Sequence, residues 1–133
     1  MNRLSARLVS LVLVALVAIL VAGCGGPSAA PSITKVDAAK AVAMLGSRTV
    51  IDVRTPAEYA AGHIAGARNI DVEAADFGTK TATLDKTAPY LVYCHSGRRS
   101  GIAAAQMAAA GFTDIVDGGA MADLVAAGAR TQP

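Results

Sequence analysis

The sequence predicts a small α/β domain in which short, mainly parallel strands are flanked by helices on both faces. Short aliphatic runs of strand character alternate with segments of helical periodicity, the order that produces parallel pairing. Aromatic residues make up only 4% of a chain that is 53% hydrophobic, so the core must be built from Val, Ile, Leu and Ala, which suits thin α/β layers. Capping side chains, proline and glycine stand at the junctions between the two kinds of segment.

Asp37 caps a first helix whose apolar face carries Val42, Met44 and Leu45 and which Gly46 ends. Thr49 to Val53 is a short buried strand. Thr55-Pro56-Ala57-Glu58 is a capping box with proline at the first helical position, opening a short helix that closes at Gly62. The polar stretch from Gly78 to Thr87 reads as a loop with room for one helical turn. Tyr90 to Tyr93 is a strand, Cys94 to Arg99 a loop, and Ser100 to Ala110 a helix stopped by Gly111. Ile115-Val116 is a further strand, Asp117-Gly118-Gly119 a turn, and Met121 to Ala127 a last helix before Gly128.

The 133 residues allow one compact core, because the first two dozen have the pattern of an export signal. Arg3 and Arg7 precede an apolar run from Leu8 to Ala22, broken only by Ser10 and ending at Gly23-Cys24. That run is short for a bilayer span, which needs roughly 20 residues. Val21-Ala22-Gly23-Cys24 resembles the bacterial lipobox, with Val where Leu is commoner, and the resemblance implies that Cys24 is lipidated and becomes the mature N-terminus. An uncleaved anchor, or a cleaved signal with an incidental cysteine, is the alternative. Residues 1–23 are thus expected to be a signal peptide, and 24–32, with Gly-Gly-Pro-Ser-Ala-Ala-Pro-Ser after the cysteine, a lipidated cysteine on a flexible tether. The folded domain then covers 33–130, hung from a bacterial membrane outside the cytoplasm.

Formal net charge is +2, but setting aside Arg3 and Arg7 leaves ten Lys+Arg against ten Asp+Glu. A near-neutral chain without a basic stripe or aromatic interleaving gives nucleic acid no purchase. With two histidines and one available thiol, a metal site is not expected.

Of the two cysteines, Cys24 is the one expected to be acylated, and with Cys24 acylated Cys94 is the sole thiol of the mature protein. It stands between a buried strand and a helix in Cys94-His95-Ser96-Gly97-Arg98-Arg99-Ser100, where Gly97 lets the backbone turn inward and aim N–H groups at an anion. Helix dipole, nest and two arginines all favour thiolate over thiol, so Cys94 is expected to be a nucleophile without a dedicated general base. A small core hydrophobe at a strand end is the alternative reading of a lone cysteine.

Three motifs in order now resemble the rhodanese family. Ile51-Asp52-Val53-Arg54, Glu58-Tyr59, Gly62-His63-Ile64, Gly66-Ala67 and Asn69-Ile70 are similar to its N-terminal signature, Cys94 to Ser100 to its active-site loop, and Gly118-Gly119 through Ala127-Gly128 to its C-terminal signature. The resemblance implies a small three-layer sandwich around a central, mainly parallel sheet, and a monomer that uses no cofactor. It implies a sulfurtransferase in which Cys94 carries sulfur between a small-molecule donor and an acceptor, cyanide or a thiol, the latter including a protein thiol. The N–H groups around Ser96 and Gly97 would cradle the persulfide and Arg99 would bind the anionic donor, while Arg98 and His95 would tune substrate choice and Ser100 complete the loop. Asp52 and Arg54 are expected to support the loop from beneath, and His63 to make a fixed hydrogen bond.

Two departures from the family pattern stand out. Ala65 occupies a usual proline position, and the chain has no tryptophan where the family places one in the last helix, at Asp123 or Leu124 depending on the direction of counting, which suggests a one-residue shift near Ala120. Two competing functions remain open. Phosphatases of the same fold, and with them arsenate reduction, use a cysteine-to-arginine loop one residue longer than this one, in which Arg99 stands five positions beyond Cys94. Rhodanese-like domains also act as persulfide carriers or protein-binding modules without turnover.

Overall fold

The structure, a computed structural model, describes residues 30–133; the apolar run and Cys24 lie outside the described residues. Among the described residues no helix is long and apolar enough to cross a membrane. In chain order the elements are β1 (Ile33–Lys35), α1 (Ala38–Met44), β2 (Thr49–Asp52), α2 (Pro56–Ala60), β3 (His63–Ile64), β4 (Arg68–Asn69), α3 (Phe77–Ala82), β5 (Tyr90–Cys94), α4 (Arg98–Ala109), β6 (Ile115–Ala120), α5 (Met121–Ala126) and β7 (Thr131–Gln132).

Five strands form one sheet in the order β1-β6-β5-β2-β4, and every pair in it is parallel. The expected α/β layering around a mainly parallel sheet is therefore present. β5 lies at its centre and is buried throughout, which is why it reads as an unbroken apolar run. Its side chains still alternate. Tyr90, Val92 and Cys94 join Ile51, Val53, Phe77, Ala103 and Met107 in one core, beneath α3 and α4. Leu91 and Tyr93 join Val50, Ala41, Val116 and Leu124 in the other, against α1 and α5.

Both capping readings hold in side-chain detail. The Asp37 carboxylate accepts from Lys40 N at 2.8 Å. Thr55 and Glu58 make the reciprocal bonds of a capping box, with Pro56 in the first turn.

Four local expectations are corrected. Gly46 does not itself end α1; the α-helix stops at Met44 and tightens into a 3₁₀ turn over Leu45–Ser47, and Ser47 Oγ donates to the Met44 carbonyl at 3.1 Å. The segment expected to be a loop from Gly78 holds the two-turn-scale helix α3, because Phe77 and Thr81, four residues apart, are both buried and tertiary packing outweighs weak propensity. Arg98 and Arg99 belong to the first turn of α4 and not to a loop. Asp117-Gly118-Gly119 is not a turn: β6 runs through it, paired with β5 across a bulge between Asp117 and Ala120. A Cβ at Gly118 would stand 2.9 Å from Leu91 Cδ2 and 3.3 Å from the Val92 carbonyl oxygen, so close strand contact, and not chain reversal, demands glycine there.

The bulge lies beside the suspected one-residue shift near Ala120, and it settles the facing of α5. Leu124 is fully buried in the core while Asp123 is exposed. β3 and β7, which had no sequence signal, form a separate antiparallel pair. Ala65 N extends that pairing by donating to the Arg130 carbonyl at 2.8 Å, a bond that a proline at this position could not make.

Candidate active site

In a parallel sheet, ligands bind beyond the carboxyl ends of strands where the crossovers depart in opposite directions. That point lies between β2 and β5: the chain leaves β2 toward β4 on one side and leaves β5 toward β6 on the other. Cys94 is the last residue of β5, and Asp52 the last of β2.

Cys94 is fully buried. Its Sγ accepts a hydrogen bond from Gly97 N at 3.0 Å. Gly97 has φ 90°, a left-handed conformation that closes the loop back over the sulfur and that a Cβ would strain, and it stands at the N-cap of α4. Arg98, Arg99 and Ser100 open that twelve-residue helix, so their N–H groups have no intrahelical acceptor and the positive end of the helix lies over the thiol. Ser100 is buried, and its Oγ donates to the Gly97 carbonyl at 3.0 Å, tying helix start to loop. His95 and Ser96 are exposed on the outer side of the loop.

Beneath the loop sits a buried ion pair. The Asp52 carboxylate accepts from Arg54 N, Nε and Nη2, the last at 2.6 Å, and from the Tyr93 hydroxyl at 2.7 Å. Burial, and then the bond to Asp52, holds the Tyr93 phenol well above its ordinary range. Tyr93 also accepts from Ile64 N, and Arg54 donates to the Gly62 carbonyl at 2.8 Å. The residue preceding Cys94 is thereby bound to β3 and to the turn after β2. His63 stacks on Tyr59 with ring centroids 3.7 Å apart, its Nδ1 3.1 Å from the Tyr59 carbonyl and its Nε2 3.0 Å from Gln132 Nε2.

The two arginines differ. Arg98 is two-thirds exposed and reaches only Glu73, at 3.3 Å. Arg99 is largely enclosed and makes a two-pronged pair with Glu58 at 2.7 and 2.8 Å, with Glu73 at 3.5 Å. Glu58 is held down to about 2 by that bond to Arg99, and the Arg99 guanidinium is raised correspondingly. Glu58 is a capping residue and part of the N-terminal signature, and its Oε2 has a second partner that neither implies, accepting from Thr55 and from Arg99. Glu73, 25 residues from Arg98, carried no local signal. Two carboxylates thus face the two arginines that open α4, and an anion must share or displace the Glu58–Arg99 pair to use Arg99.

A cleft of about 540 Å³ opens beside the loop, bounded by His95 on one side and by Met121 and Val125 of α5 on another. Among the described residues, no group of three or more His, Cys, Asp or Glu side chains is placed to hold a metal ion.

Known proteins resemble this chain in both sequence and architecture. The family described as Rhodanese-like domain matches residues 37–122. The chain is 49% identical over 73 residues to a thiosulfate sulfurtransferase, GlpE, of Pseudomonas putida, a match that covers 53% of this chain and 64% of that one. A solved rhodanese-related protein from Thermoplasma volcanium superposes with a TM-score of 0.64 at 28% identity, covering 74% of this chain and 97% of that one. A rhodanese from E. coli, solved with anions, gives 0.53 at 31% identity, covering 64% and 96%. With a match across most of the folded region, the same layered sheet and a cysteine loop at its switch point, the chain belongs to the rhodanese-like domain family.

Proposed function

We propose that this chain is a sulfurtransferase that moves sulfane sulfur from an anionic donor such as thiosulfate to a nucleophilic acceptor, cyanide or a thiol, through a persulfide on Cys94. The observation that carries the reading is the Gly97 N–H at 3.0 Å from Cys94 Sγ, beneath the N-terminus of α4. A backbone donor and a helix dipole aimed at one sulfur stabilise negative charge there without a proton acceptor. In the first step the Cys94 thiolate attacks the outer sulfur of thiosulfate; a bond forms between Sγ and that sulfur, the donor's S–S bond breaks, and sulfite leaves with the electron pair. In the second, the acceptor attacks the outer sulfur and Cys94 departs as thiolate. Ping-pong kinetics follow. The Pseudomonas putida relative named as a thiosulfate sulfurtransferase supports the reading.

The test is mass spectrometry of the purified chain before and after thiosulfate, beside Cys94→Ser. The expected result is one added sulfur atom on the wild type alone, removed again by cyanide. A folded wild type that gains no sulfur would refute sulfur transfer.

We further propose that Cys24 is lipidated and that the domain works at a bacterial envelope, held by acyl chains and the tether at 25–32. The warrant is the basic, apolar and small-residue pattern ending at Cys24.

A further inference from the structure

The cleft beside the loop is mostly apolar, and neither Arg98 nor Arg99 is among the residues that line it. Its apolar wall is Met121, Ala122 and Val125 on the outer face of α5, facing Ala61 after α2. His95, bonded directly to Cys94, forms its edge toward the loop, and Thr131 of β7 walls its far end. Two features of this chain leave it open and give it that shape. There is no tryptophan in the chain, and Leu124 turns into the core, so no aromatic side chain of α5 fills the space. Ala65 donates to the Arg130 carbonyl, which brings Thr131 alongside.

The charged groups at its margin are already paired. Arg54 is bound by Asp52, and Glu58 by Arg99, so neither presents a free charge to an occupant. Val125 is 42% exposed, a large apolar side chain left on the surface of a short helix. A volume of about 540 Å³ lies within the range of small-molecule sites, and cyanide has no use for it.

We propose that this cleft is the acceptor site and that it selects an uncharged organic thiol with an apolar body, Met121, Ala122 and Val125 being its specificity-determining residues. The inference rests on the sulfur-transfer reading. A persulfide places its outer sulfur about 2 Å beyond the buried Sγ. The acceptor thiol loses its proton to solvent, its thiolate attacks that outer sulfur, a new S–S bond forms on the acceptor, and the bond to Sγ breaks with Cys94 leaving as thiolate. No oxidant or reductant is needed. The apolar body of the acceptor lies against α5 while its sulfur reaches past His95.

The experiment compares ethanethiol, 1-butanethiol and 2-mercaptoethanol as acceptors, with sulfur loading of Cys94 by thiosulfate followed separately by mass. For the wild-type chain, kcat/KM is expected to be about tenfold higher for 1-butanethiol than for 2-mercaptoethanol, the size of effect that one or two methylenes produce in an apolar pocket. Val125→Asp and Ala122→Trp, the first adding charge and the second filling the space, should each erase that preference, chiefly through KM. Ile102→Asp, an exposed apolar position on α4 outside the cleft, should keep it. Loading that proceeds while the wild type treats the three thiols alike, or variants that keep the preference, would overturn the acceptor site and leave sulfur transfer standing. Absence of loading in the wild type would instead overturn sulfur transfer itself.

Discussion

Replacing Glu58 by Gln isolates a charge whose effect can be worked out from the structure. Gln preserves the capping box, because an amide serves at the third helical position as a carboxylate does, so the helix start survives the change. What is lost is the charged half of the pair with Arg99 at 2.7 and 2.8 Å. The carboxyl is held down from its ordinary 4.5 to about 2, chiefly by Arg99 and further by the bonds from Thr55. At 1.36 kcal/mol for each tenfold step this corresponds to about 3 kcal/mol at full strength. The Glu58 side chain is 32% exposed, however, and solvent screening reduces the contribution to about 1–2 kcal/mol. A carboxylate depressed in the folded state stabilises above its unfolded value and loses that stabilisation as pH falls toward the folded value. Urea denaturation of the full chain should therefore show Glu58→Gln about 1–2 kcal/mol less stable than wild type at pH 7, with the gap narrowing below pH 5 and nearly closed at pH 2. A gap of the same size at pH 7 and pH 2.5 would show that Glu58 acts through packing or capping, and no gap at pH 7 would refute the pair as a stabilising contact.

Three further outcomes are expected. Arg99→Ala should raise KM for thiosulfate about tenfold or more, and Arg98→Ala less than threefold, because Arg98 is solvated while Arg99 is enclosed beside the loop; steady-state kinetics showing equal effects would mean that the wrong arginine has been assigned. Asp52→Ala should cost about 3–5 kcal/mol in urea denaturation, since it leaves Arg54 buried without its carboxylate and strips the Tyr93 hydroxyl of its acceptor; a loss below about 1 kcal/mol would show that solvent reaches the pair. Cys24→Ala should abolish acyl modification and shift the chain out of the detergent phase, or leave an uncleaved precursor; identical partitioning of variant and wild type, both full length, would make the apolar run the anchor instead.

Much of the site was legible because its signals are local. The strand from Tyr90, the glycine three residues past Cys94, and the capping residues Asp37 and Thr55 act on backbone within one turn of themselves, so the residues alone announce the strand, the loop and the helix starts. The order of these elements implied the parallel sheet, because a chain that passes through a helix between strands returns in the same direction. What only the tertiary structure decided involves partners far apart in the chain. Glu58 meets Arg99 across 41 residues and Glu73 meets Arg98 across 25, and no periodicity encodes such pairings. α3 forms because Phe77 and Thr81 find a core, and Asp117-Gly118-Gly119 stays in a strand because β5 lies close alongside, although both segments carry loop-forming residues. The cleft, too, is a property of the assembled surfaces of α5, β7 and the loop. Short-range sterics and capping select the elements, whereas burial and ion pairing, which depend on where distant segments meet, select the partners of Arg98 and Arg99 and the space beside Cys94.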